Sequence, residues 1–110
     1  MRSPISETEM RVLLDEQIAR LDNLTRPTWK KYKTPLEEFV STGADDPARA
    51  RLYIVARAGS EIVYFDDQRD EFGAGELDGV GAFRDYGTYG SELRGTLRHF
   101  PRNHDRDLQR

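Results

Sequence analysis

Apolar residues recur at intervals of three and four near the start of the chain. Met10, Leu14, Ile18 and Leu21 form one stripe, widened by Leu13 and Leu24, while Arg11, Asp15, Glu16 and Asp22 occupy the other side. This is the period of an amphipathic helix with one face on a core. Ser6 and Glu9 make an S-x-x-E capping box, and Ile5 and Met10 stand where a hydrophobic staple would close it. The pattern predicts a helix over residues 7–23, ended ahead of Pro27, which cannot continue it.

The period changes to two over residues 51–67, "RLYIVARAGSEIVYFDD". Leu52, Ile54 and Ala56 alternate with Tyr53 and Val55, and Ile62 and Tyr64 alternate with Val63 and Phe65. A tight turn around Ala58-Gly59 makes an antiparallel hairpin. With a two-residue turn, Tyr53, Val55, Ile62 and Tyr64 share one face, and Leu52, Ile54, Val63 and Phe65 share the other. A bulge at Gly59 shifts that pairing by one residue. Either way both faces are apolar, whereas a half-exposed hairpin is polar on one side.

The remaining elements are shorter. Residues 34–40, "TPLEEFV", carry a capping signature (Thr34, Pro35 at N1, Glu37 at N3) and predict one or two helical turns, with a short extended segment as the alternative. Residues 41–50 read as a loop by composition, and so do residues 66–81, where Glu71-Phe72 pairs at most briefly at the sheet edge. Residues 82–89 supply a third strand, with Phe83, Asp85 and Gly87 on one side and Arg84, Tyr86 and Thr88 on the other. Ser91 caps a last helix that turns Leu93, Leu97 and Phe100 inward and stops at Pro101. The expected fold is therefore α+β: an N-terminal helix, a short second helix, a three-stranded antiparallel sheet and a short C-terminal helix. It forms a single domain over residues 1–100, followed by a polar tail, 101–110, expected to be disordered.

Composition narrows the function classes. The chain has 110 residues, enough for one domain. It has no cysteine, so disulfides and thiol chemistry are excluded. No signal-peptide core precedes the first helix and no apolar run reaches the length of a membrane span. The expected location is the cytoplasm, with no membrane partner. The formal net charge of −3 makes no demand for nucleic acid.

Candidate chemistry is sparse. Asp66, Asp67, Asp70, Glu71, Glu76 and Asp78 form an acidic set that fails the EF-hand spacing, and reads as a solvated loop. His99 and His104, without cysteine, fall short of a zinc set. Ser60 and Ser91 lack a nucleophile elbow, and no phosphate-binding glycine motif is present. No catalytic, cofactor or metal residue is assigned. The stretch Trp29, Lys30, Lys31, Tyr32 and Lys33 interleaves cations with aromatic rings, the combination that grips single-stranded nucleic acid. Its alternative is that Trp29 and Tyr32 dock on the core while the lysines reach into water.

Tyr53 to Arg57, then Gly59, then Ile62 to Asp66, resembles a hairpin "V-x-x-R-x-G-x-x-V-x-Y-x-D" found in small bacterial proteins of unknown function. The resemblance covers about the central third of the chain. It implies a bacterial protein and transfers no site residue.

Together these readings point to a small protein-interaction module, acting as an adaptor, regulator or inhibitor-like protein. Its expected interface is Tyr53, Val55, Ile62 and Tyr64 with Phe72 and Tyr86, since tyrosine offers one apolar and one hydrogen-bonding end. The acidic loop would steer a basic partner, and the second apolar face predicts a homodimer. A nucleic-acid-associated regulator and a small enzyme without a recognisable motif are the alternatives.

Overall fold

The Ser6 hydroxyl accepts from the Glu9 amide and the Glu9 carboxylate accepts from the Ser6 amide, both at 3.1 Å, so the capping box is formed. It opens helix α1, Glu7–Ala19, in a computed structural model that describes residues 5–40, 51–77 and 83–102. Met10 is buried, and Ile5, Leu13, Leu14 and Ile18 pack beside it on the core. The helix ends four residues before the predicted 23. The Asp22 carboxylate takes the Leu24 and Thr25 amides at 3.1 and 2.9 Å and the Thr25 hydroxyl at 2.7 Å, a local turn that competes with helix. Leu24 consequently points into solvent, 78% exposed, and is no part of the stripe. Pro27 then lies in the first turn of a second helix, α2, Arg26–Tyr32, where its missing amide costs nothing.

The sheet corrects the expected fold. Among the described residues it has five antiparallel strands, not three, in the order β1 (Lys33–Val40), β2 (Arg51–Ala58), β3 (Glu61–Asp66), β4 (Glu71–Leu77) and β5 (Phe83–Thr88). Residues 34–40, predicted as a helix, pair with β2 as strand β1. Residues 71–77, expected to be loop, form β4 in unbroken register with β3. The last helix, α3, is Leu93–Leu97, shorter than predicted, and buries Leu93 and Leu97.

The hairpin register also differs from the two-residue turn at Ala58-Gly59. The turn is Gly59-Ser60, with Gly59 at φ +63° and Ala58 opposite Glu61. A bulge between Ile54 and Ala56 then shifts the pairing. Tyr53, Val55 and Ala56 thereby join Val63 and Phe65 beneath the helices. Leu52, Ile54, Ile62 and Tyr64 form the opposite face, packed with Phe39, Leu77 and Phe83.

That second face is covered partly by curvature. The rings of Phe39 on β1 and Phe83 on β5 are 5.7 Å apart, and Phe83 also meets the Tyr64 ring edge-on at 5.6 Å. Neighbouring strands lie about 4.8 Å apart, so a flat five-stranded sheet would hold its outer strands roughly 19 Å apart. Contact between side chains of the two outer strands requires the sheet to curl over this face. Gly73 and Gly75 on β4 permit it. A Cβ at Gly73 would come within 2.6 Å of the Tyr64 ring, and one at Gly75 within 2.7 Å of the Phe83 ring.

Candidate functional site

Three segments of chain converge on one side of the molecule: α2, the end of β5 with the residues after it, and the turn following α3. They enclose a cleft of about 640 Å³. Aromatic rings from all three segments line it, and Lys31, Arg98 and Arg102 supply the charge. No aspartate or glutamate is among the described residues lining it. The carboxylates of Asp22, Glu61 and Glu76 stand behind the lining and are engaged by Arg98, the Arg102 amide and the Tyr86 hydroxyl.

Each lining group is positioned by a separate device. β5 bulges between its pairings with Ala74 and Gly75, which leaves Tyr86 as the extra residue and aims it away from the ladder. The Tyr86 hydroxyl donates to the Glu76 carboxylate at 2.6 Å. That bond is the largest cause holding its phenol above the ordinary value, followed by burial. The Arg102 guanidinium lies over the Tyr86 ring, 4.5 Å from its centre. The Arg102 amide donates to the buried Glu61 carboxylate at 2.6 Å, which anchors the turn after α3 to the β2–β3 hairpin.

Beyond β5, Tyr89 and Gly90 continue the ladder by exchanging backbone bonds with Phe72 at 2.9 and 2.8 Å. This fixes the Tyr89 ring, which stacks on the His99 imidazole at 4.8 Å and 15°. Tyr32 meets Phe100 edge-on at 5.6 Å, and the Lys31 ammonium is 5.2 Å from the Tyr32 ring centre. Among the described residues Arg98 is ion-paired, at 3.0 Å to Asp22, whereas Lys31 and Arg102 have no ion pair. The Asp22 carboxyl is held well below the usual carboxylate range, by the Thr25 hydroxyl first and by Arg98 next.

The sequence-predicted site residues are dispersed by the fold. Of the interface set, Tyr53 and Val55 lie beneath the helices, while Ile62 and Tyr64 lie on the opposite face. All four are 2% exposed or less. Phe72 is buried as well, and only Tyr86 borders an open surface. The face proposed for self-association is thus enclosed within one chain, its halves divided by the Val55 bulge. Of the interleaved stretch, Trp29 is buried and Lys30 and Lys33 are exposed away from the cleft, whereas Lys31 and Tyr32 belong to it. The cleft residues that sequence reasoning passed over are Arg98 and Arg102, while His99 was weighed only as a metal ligand. No local pattern singles these arginines out; they reach the cleft only because the residues after α3 are set against α2 and β5.

The acidic set has structural work. Asp66 accepts from the Gln68 and Arg69 amides at 2.9 and 3.3 Å, closing the turn before β4. Asp67 is buried and accepts from the Ile5 amide at 2.9 Å, and Glu76 holds Tyr86. Asp78 and His104 lie outside the described residues. Among the described residues no three histidine or carboxylate side chains converge as a metal set, and no helix is long and apolar enough to cross a membrane. No protein-family model, curated protein or solved structure matches the chain.

Proposed function

We propose that this protein acts by binding, as a small interaction module whose recognition surface is the cleft between α2, β5 and the turn after α3. The observation that carries this reading is the cleft's composition: aromatic walls with Lys31, Arg98 and Arg102 and no carboxylate among the described lining residues. A concave aromatic surface with a few placed charges is the usual form of a recognition site. Its charge selects an anionic group on the partner, the reverse of the basic partner expected from the acidic loop. Within that loop Asp66 and Asp67 turn to backbone donors, while Asp70 stays exposed and lines no part of the cleft.

Titration of the isotope-labelled protein with tripolyphosphate, and separately with poly-glutamate, tests the reading by amide shift mapping. The expected shifts cluster at Lys31, Tyr86, Tyr89 and Arg102. Absence of shifts at these amides with either polyanion sinks it.

A further inference from the structure

We infer that the cleft takes single-stranded nucleic acid, with a base on the Tyr89–His99 stack and the flanking phosphates at Lys31 and Arg102. The inference rests on the cleft being the recognition surface and names its ligand class.

Charge alone would admit any anion, including an acidic peptide. The rings decide between them. Tyr89 is 38% exposed, and it lies nearly parallel to His99 at 15°. An already stacked pair with an open side is a platform on which a third flat ring continues the stack. Nucleobases present such a face whatever their identity, which makes stacking on protein rings tolerant of sequence. Acidic side chains have no flat ring to offer and would leave that face wet.

The cations fit the same ligand. Lys31 and Arg102 are each parked over a tyrosine ring and neither is in an ion pair among the described residues. A phosphate therefore displaces no carboxylate in reaching them. Arg98 is tied to Asp22, which offsets its charge and leaves Lys31 and Arg102 as the phosphate contacts. Alternating rings and cations along a groove is the arrangement that holds unpaired strands. A duplex hides its base faces in its own stack and cannot use the Tyr89 platform.

The walls are also fixed before a ligand arrives. Glu76 holds Tyr86, Glu61 holds the Arg102 amide and Phe72 holds the Tyr89 backbone. Pre-ordered groups lose little freedom on binding. The cleft volume of about 640 Å³ lies within the range of small-ligand sites, so the footprint is short.

The test is fluorescence anisotropy of labelled deca-thymidylate and deca-uridylate, with thymidine monophosphate and poly-glutamate as competitors, on wild type and on Tyr89→Ala, Lys31→Glu and Lys30→Glu. Lys30 is exposed and lies outside the cleft, so its variant measures the effect of charge alone. Melting curves establish that each variant folds. With two to three phosphates neutralised, the slope of log K against log salt is expected to be about −1.4 to −2. Tyr89→Ala is expected to lower decamer affinity by roughly 5- to 150-fold, the loss of one stacked base. Lys31→Glu is expected to lower it well beyond Lys30→Glu.

Equal losses for Lys30→Glu and Lys31→Glu overturn the placement. A monophosphate that competes as well as an unlabelled decamer overturns the strand and leaves a mononucleotide site. Poly-glutamate that binds at the cleft as tightly as the decamer, with Tyr89→Ala unchanged, overturns nucleic acid and leaves the recognition cleft intact. No anisotropy change with either decamer overturns nucleic acid, and cleft amides unmoved by both polyanions in the shift mapping overturn the cleft as well.

Discussion

The Tyr64 phenol lies under the Phe83 ring and across the backbone of Gly73, and its hydroxyl donates to the Asp85 carboxylate. Burial first, and Asp85 next, push its proton affinity far above the ordinary tyrosine value. The pH consequence follows from which state ionises. In the unfolded chain the phenol has its usual value near 10. Below that pH both states keep the proton and the contribution is complete. Above it the unfolded chain ionises while the folded one does not, so stability is lost as pH rises toward the folded value. Urea midpoints at pH 9, 10 and 11 are expected to fall more steeply for wild type than for Tyr64→Phe. Equal slopes would show that Tyr64 is not the group responsible. Tyr64→Asp is a different matter: it puts a second carboxylate beside Asp85 in a site 1% exposed. Unfolding at ambient temperature is the expected result, seen as loss of the far-ultraviolet dichroism, rather than a change in association.

Ser6 is simpler. Its reciprocal bonds with Glu9 are local, so Ser6→Ala is expected to cost about 0.5–2 kcal/mol and to lower the melting temperature without touching the cleft. An unchanged melting curve would mean that the first turn contributes nothing to the folded state.

Among elements, α1 and the hairpin were legible because each repeats one period over enough residues to exclude the other. Strand β1 was not. In "TPLEEFV" the Thr-Pro-x-Glu signals are those of a helix start, and Leu36 and Phe39, three apart, would share a helical face. In the sheet they take opposite faces, Leu36 toward the helices and Phe39 toward Tyr64. Pairing with β2 supplies the backbone bonds that one or two isolated helical turns could not sustain.

Strand β4, "EFGAGEL", was hidden by its glycines, which read as loop. Their role is close approach: Tyr64 and Phe83 fill the space where side chains would stand. Gly73→Ala therefore places a methyl 2.6 Å from the Tyr64 ring and 2.7 Å from the Gly87 carbonyl, and the carbonyl is backbone that cannot swing aside. A loss of about 1–3 kcal/mol is expected from such overpacking, measured by chemical denaturation. A neutral result would mean that the sheet opens at no cost, contrary to the ring contacts that close it.

For the whole molecule, the question raised by two apolar sheet faces has an answer within one chain. The helices take Tyr53, Val55, Val63 and Phe65, and the curled sheet carries Phe39 and Phe83 over Ile54, Ile62 and Tyr64. The cleft, by contrast, was invisible in the sequence as a unit. Its residues come from three segments whose meeting depends on β5 and on the turn after α3, and neither local period nor composition encodes that meeting. What the sequence did carry was the interleaving of Lys31 and Tyr32 on one wall and the interface tyrosine Tyr86 on another.

The hydrogen bond from the Arg102 amide to Glu61 has a practical consequence for anyone making this protein. Residues from 101 onward look dispensable: a polar run after a helix and a proline, the usual place to cut or to attach a tag. Shortening the chain to Phe100 would strip a buried carboxylate of its Arg102 donor and take the guanidinium off Tyr86. A buried acceptor that loses a bond costs about 1–3 kcal/mol. Such a shortened protein is expected to melt earlier than the 110-residue chain and to bind polyanions more weakly. A negative binding result from a chain trimmed at Phe100 would therefore report on the trimming.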